Sequence, residues 1–184
     1  MTSRTIQIRF EEFLSSKQIV LTSNFIYIYG QDMLGGCILH ITSKSVENKS
    51  NPGNMTAVEI KFDGGARPNP GQSAIGYIVE SADWREERSA HIGESTNNRA
   101  EYHALVQALE LAAERGSDRV VAKGDSQLIV NQVNGDSDVN NDELRRLNER
   151  VQSLASEFES FEIREVSQEE NSEADDLVDN VLSD

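Results

Sequence analysis

After Met55 the apolar residues change period along the chain, and the order of those changes leaves few folds open. Val58 to Phe62, Ala74 to Val79 and Trp84 to Ile92 read as three strands joined by short turns, the pattern of an antiparallel meander. In the segment TNNRAEYHALVQALELAAERG, Ala100, Ala104, Leu105, Ala108, Leu109 and Ala112 recur at three- and four-residue spacing. That is one apolar stripe of a helix, ended by Gly116. Arg119 to Ala122 is a short strand of the buried type, and GDSQLIVNQVNG opens a second helix. A third helix runs from about Asp142 to Glu157, a fifth strand from Phe161 to Val166, and a last helix from about Ser172 to Leu182. A strand-helix-strand crossover implies parallel pairing. The order βββαβααβα therefore predicts an α/β domain whose five-stranded mixed sheet, three antiparallel strands then parallel ones, carries helices on its faces.

The preceding residues have a different character. Ile6 to Phe10, Phe25 to Tyr29 and Ile38 to Ile41 look like short strands, and the polar run TSKSVENKSNPGN reads as a linker over about 42–54. Residues 1–54 are thus expected to form an N-terminal extension and residues 55–184 the main domain. A translation start at Met55 would make the extension dispensable. Charge divides at the same place. The whole chain has a net charge of -15, yet residues 1–54 hold Arg4, Arg9, Lys17, Lys44 and Lys49 against Glu11, Glu12, Asp32 and Glu47. All the negative excess therefore lies after Asn54, where Lys61 and Lys123 are the only lysines. An acid-rich, lysine-poor surface suits a halophilic protein, because the Debye length falls to about 3 Å at 1 M salt and screens self-repulsion. Cys37 is the only cysteine, which excludes an intrachain disulfide. No run resembles a signal peptide or a membrane span, so a cytoplasmic protein without a membrane partner is expected.

Four carboxylates draw attention. Asp63 ends the first strand of the meander, and Asp125 ends the fourth strand of the domain. If the crossover makes those strands parallel neighbours, both acids emerge at one edge of the sheet, the usual place for chemistry in open α/β sheets. Glu101 lies in the first turn of the bridging helix, and Asp175 on the last helix. Each has a bland alternative: Asn98 with Glu101 as a capping pair, Asp125 as an N-cap, Asp175 on a solvated helix face. Local capping gives no reason, however, for four acids to gather at one end of one sheet. At about 5 Å and an effective dielectric near 20, each like-charged pair costs roughly 3 kcal/mol. Bound cations would relieve this, and an all-oxygen set without histidine or cysteine favours Mg²⁺ or Mn²⁺. Two such ions would suit hydrolysis of a phosphodiester.

The motifs DGGARPNPG, TNNRAEY, GDSQLIVNQ and EENSEADDLV, in that order and spacing, resemble type 1 ribonuclease H in its short archaeal and bacterial forms, over about Val58 to Leu182. The resemblance implies a sequence-nonspecific endonuclease that hydrolyses the RNA strand of RNA/DNA hybrids and leaves 5′-phosphate and 3′-hydroxyl ends. It implies that Asp63, Glu101, Asp125 and Asp175 hold two metal ions, Asp175 rather than its neighbour Asp176 matching the family's aspartate. It further implies that Gly64 and Gly65 let the backbone approach the RNA, and that Asn69, Asn98 and Gln127 touch the hybrid. The expected partner is the hybrid alone, bound by a monomer. A nuclease of the same fold that cuts double-stranded RNA or RNA-DNA junctions, and a silent nucleic-acid binder, are the alternatives.

The chain also departs from the family. No histidine lies between Phe161 and Asp175, where many members carry one, and Gln168 stands where related short forms often have arginine. His91 and His103 read as structural or surface residues. The basic protrusion of some bacterial members is replaced by the acidic run NGDSDVNND. That run is not a calcium loop, because Asn141 and Leu147 occupy the positions of the turn glycine and the final glutamate.

Overall fold

The computed structural model describes residues 17–21, 25–31, 37–43 and 56–183. The chain divides into two units, Met1–Lys49 and Ser50–Asp184. In the first unit β1 (Lys17–Leu21), β2 (Phe25–Gln31) and β3 (Cys37–Ser43) form an antiparallel sheet in that order, with Lys17 opposite Gly30 and Gln31 opposite Cys37. β2 and β3 contain the strands expected from Phe25 and Ile38, while KQIVL of β1 is too short an apolar run to declare itself. The strand expected over Ile6 to Phe10 and the linker beyond Ser43 lie outside the described residues.

The second unit contains β4 (Ala57–Arg67), β5 (Gly71–Glu80), β6 (Arg85–Ser95), α1 (Asn97–Glu114), β7 (Arg119–Gly124), α2 (Gln127–Asn134), α3 (Asp142–Ala155), β8 (Ser160–Glu165) and α4 (Gln168–Ser183). Its five strands lie in the order β6-β5-β4-β7-β8. β5 pairs antiparallel with β4 and β6, whereas β4, β7 and β8 run parallel. This is the mixed sheet that the sequence order predicts.

Alternation along β4 sorts its side chains between two faces. Val58, Ile60 and Phe62 are buried in the main core with Leu105, Leu109 and Val151. That core extends under α1, whose Ala100, Ala104, Ala108 and Ala112 are fully buried and allow close packing on the sheet. α4 covers the opposite face of β4 and β5 with three buried residues, Asn171, Ala174 and Val178.

Two boundaries depart from expectation. β4 continues through Asp63 to Arg67, so Asp-Gly-Gly is strand rather than turn and pairs with Gly76, Ile75 and Ala74. The turn falls at Pro68 to Pro70, where proline cannot extend a ladder. α4 begins at Gln168, earlier than apolar spacing suggests, because Ser167 and Glu170 exchange hydrogen bonds of 3.3 Å between backbone N–H and side-chain oxygen. That reciprocal arrangement is a capping box.

Candidate active site

The register of the parallel pair brings two acids together. Lys61 lies opposite Lys123 in β4 and β7, and two residues further along each path come Asp63 and Asp125. A glycine lets each helix deliver its own carboxylate. A Cβ at Gly64 would stand 2.2 Å from both Ala100 C and Glu101 N, so only glycine lets α1 rest on β4 and place Glu101 beside Asp63. Gly76, opposite Asp63, works on the other face: a Cβ there would lie 2.7 Å from Ala174 O, the carbonyl next to Asp175. Gly65 makes room for Val178 and Leu182 of α4 in the same way. The three glycines thus serve close packing around the acids.

Asp63, Glu101, Asp125 and Asp175 all line one cleft of about 250 Å³, together with Gly64 and Gly65. The local alternatives do not hold. Thr96 caps α1 through Oγ1, which accepts from Arg99 N at 3.4 Å, so neither Asn98 nor Glu101 is occupied in capping. Ser126, not Asp125, is the N-cap residue of α2. Asp175 faces the cleft, while Asp176 is exposed.

Burial and mutual repulsion dominate the electrostatics. Asp63 is pushed up to about 6, first by burial, then by the charge of Asp125, with Asp175 and Asp179 adding and the Gly64 N–H opposing. Glu101 is pushed up to about 7, again mainly by burial, with the Ser126 hydroxyl opposing and Asp63 and Asp125 adding. Asp175 is raised by burial, by Asp179 and by Asp125. Glu101 Oε2 is buried and has no hydrogen-bond partner. A buried carboxylate oxygen without a donor is a costly arrangement that a cation would relieve.

Among the described residues no three ligating side chains close on one point as a ready-made cage. An open set of carboxylates nevertheless fits a hard divalent ion such as Mg²⁺, which keeps several waters and takes further oxygens from substrate phosphates. The donor chemistry and the orphaned Oε2 fit a divalent cation.

Of the other expected contacts, Asn69 approaches the site through its Oδ1, which accepts from Asn97 N at 3.2 Å. Asn98 and Gln127 lie outside the cleft walls, Gln127 donating to Glu165 Oε2 at 3.3 Å. His91 is exposed, and His103 is half-buried and held below its ordinary value by burial and then by Arg99. Neither lines the cleft.

Sequence reasoning missed four participants. Asn171 is fully buried, and its Nδ2 donates both to Phe62 O at 3.0 Å and to Asp125 Oδ1 at 3.2 Å. One amide therefore ties α4 to the strand bearing Asp63 and to Asp125 itself. Asn97 Oδ1 accepts from Ala66 N at 2.7 Å and steadies the end of β4. Arg67 and Asp179 line the cleft and pair with each other. A signal for two of them was present, since Asn171, Asp175 and Asp179 recur every four residues on one face of a helix.

Comparison with known proteins gives a consistent assignment. The reverse transcriptase-like family model matches residues 61–181. A ribonuclease HI of Halobacterium salinarum is 38% identical over 152 residues, covering 77% of this chain and 76% of the relative. The crystal structure of RNase H1 from the same organism superimposes with a TM-score of 0.66 at 40% identity, over 69% of this chain and 98% of that one. LC11-RNase H1, solved in complex with an RNA/DNA hybrid, gives a TM-score of 0.64 at 34% identity, over 68% and 96% of the two chains.

Proposed function

The chain belongs to the ribonuclease H family, and from that membership we infer that it hydrolyses the RNA strand of RNA/DNA hybrids, leaving 5′-phosphate and 3′-hydroxyl ends. The observation that carries the reading is the convergence on one cleft of Asp63 from β4, Glu101 from α1, Asp175 from α4 and Asp125 from the bend just after β7. Ribonucleases H use divalent metal ions. For this chain the expected set is two ions, Mg²⁺ or Mn²⁺, held by Asp63, Glu101, Asp125 and Asp175. When bound, such ions neutralise the charge that develops on the phosphate and favour deprotonation of the attacking water.

The chain's own residues supply placement. Asp63 on β4 and Asp125 just past β7 each lie two residues beyond the last paired residues of those parallel neighbours, Lys61 and Lys123, so the ladder brings them to the same edge. Asn171 directs Asp125 by donating to its Oδ1. Glu101 approaches from α1 with an unpartnered oxygen. Asp175, less buried than Asp63 and Glu101, would orient the nucleophilic water. Gly64 and Gly65 also line the cleft, and on this reading their backbone is what the RNA strand approaches, a contact suited to reading shape and 2′-hydroxyls rather than base sequence. Asn69, Asn98 and Gln127 extend the contact surface outside the cleft.

The lysine-poor acidic surface supports function in concentrated salt, where counterion release offers little affinity. On the same reading the protein works as a cytoplasmic monomer. The test is cleavage of a uniformly labelled RNA/DNA hybrid in molar KCl with Mg²⁺ or Mn²⁺, comparing the intact chain with Asp125→Asn. Metal-dependent cutting of the RNA strand, reduced on the order of 10³-fold by the substitution, is expected. Equal cutting by both proteins, or cutting without divalent ions, would refute the assignment. Preferential cutting of double-stranded RNA would instead favour the broader nuclease.

A further inference from the structure

The cleft presents a problem of charge that the carboxylates do not solve. Asp63, Glu101, Asp125, Asp175 and Asp179 all line it, and Arg67 is the only cation among the described residues of its walls. A nucleic-acid strand brings more negative charge to the same place. Arg67 stands at the end of β4, two residues beyond Gly65, and its Nη2 donates to Asp179 Oδ1 at 2.5 Å. Both partners remain open to solvent, with side chains 59% and 46% exposed. An ion pair of that kind contributes little to stability and exchanges readily.

A guanidinium presents the same fork of donors to a carboxylate and to a phosphate. Resting on the nuclease reading given above, we propose that Arg67 is a phosphate ligand for the incoming strand and that Asp179 holds its guanidinium in place until a phosphate displaces it. Asp179 is then a stand-in for the substrate. It keeps Arg67 ordered beside the cleft, and it weakens binding by competing for the guanidinium. Salt screens the resident pair and the phosphate contact alike, so the competition between them is sharpest in dilute buffer.

A purely structural reading of the same pair would make it a strap fastening α4 to β4, and the two readings give opposite signs. The experiment measures kcat and KM for hybrid cleavage at several KCl concentrations for the intact chain, Arg67→Ala and Asp179→Asn, with thermal unfolding of each. Arg67→Ala is expected to raise KM about tenfold at low salt and to reduce the slope of log KM against log salt by about one, the loss lying in KM rather than kcat. Asp179→Asn is expected to lower KM about two- to fivefold at low salt, with the gain shrinking as salt rises. If both substitutions raise KM and lower the melting temperature together, the pair is a strap and the proposal is overturned. An unchanged KM and slope in Arg67→Ala, while the intact chain cuts the hybrid, would overturn this proposal alone. An intact chain that neither cuts nor binds the hybrid would overturn the nuclease reading with it.

Discussion

Two helices cover opposite faces of one sheet, and they are held there by different forces. α1 rests on β4 and β5 through fully buried Ala100, Ala104, Leu105, Ala108, Leu109 and Ala112, a dry contact within the main core. α4 buries only Asn171, Ala174 and Val178. It is otherwise fastened by charge: Glu173 pairs with Lys61 of β4 and with Arg85 of β6, and Asp179 with Arg67. Glu101 consequently arrives on a wall fixed by packing, and Asp175 on a wall fixed by an amide and by solvent-facing ion pairs. Salt should act on the second wall and spare the first.

The strongest test of that contrast uses the glycines. A methyl at Gly64 would meet the backbone of Ala100 and Glu101 at 2.2 Å, and backbone in a packed helix cannot yield. Gly64→Ala is expected to cost at least about 3 kcal/mol or to prevent folding, as measured by denaturant unfolding. At Gly65 the nearest atom is the tip of Val178 at 2.9 Å, and α4 can shift. Gly65→Ala should cost about 1 kcal/mol while lowering cleavage by more than that loss explains. Equal costs at the two positions would show that both helices are packed alike.

A second test uses the acids between the walls. Asp63 and Glu101 hold protons in the folded state up to about 6 and 7, well above their ordinary range. Between about pH 4 and 7 the folded chain therefore binds more protons than the unfolded one, so these groups make stability fall as pH rises through that window. Asp63→Asn removes one of them. Without divalent ions its stability should equal that of the parent near pH 4 and exceed it by up to about 3 kcal/mol above pH 7. Divalent ions should remove the advantage. A variant less stable than the parent at pH 8 without metal would contradict the account of the cleft.

The smallest effect belongs to the α4 fastenings. Glu173→Ala breaks two exposed ion pairs and should cost less than about 1 kcal/mol in dilute buffer, less still in molar salt. Cleavage should fall more than stability does. A loss independent of salt would mean that Glu173 acts through packing.

The order of strands and helices was legible because each element is marked by an unbroken period and a clear stop, as with the alanine stripe of α1 and Gly116 after it. The acids were legible from topology, since parallel neighbours end at one edge. The role of Gly64, Gly65 and Gly76 was not, because a glycine states only that a side chain is absent. What fills the space is decided by a helix far away in sequence, Ala100 in one case and Ala174 in another. Asn171 was hidden for the same reason: its two acceptors, Phe62 on β4 and Asp125 just beyond β7, are both far from it in sequence. The start of α4 was misplaced because its first turn is polar and is held by Ser167 and Glu170 rather than by apolar contact.

Asn171 also bears on when the enzyme becomes active. Its donors need both β4 and β7 in their final register, and α4 follows every strand of the sheet along the chain. During synthesis, which proceeds from the N-terminus, a nascent domain would therefore possess Asp63, Glu101 and Asp125 before it had any means of seating the fourth carboxylate. A domain truncated before α4 would lack Asn171 and Asp175 together, so it is expected to keep the two acids at the sheet edge and lose the means of holding them.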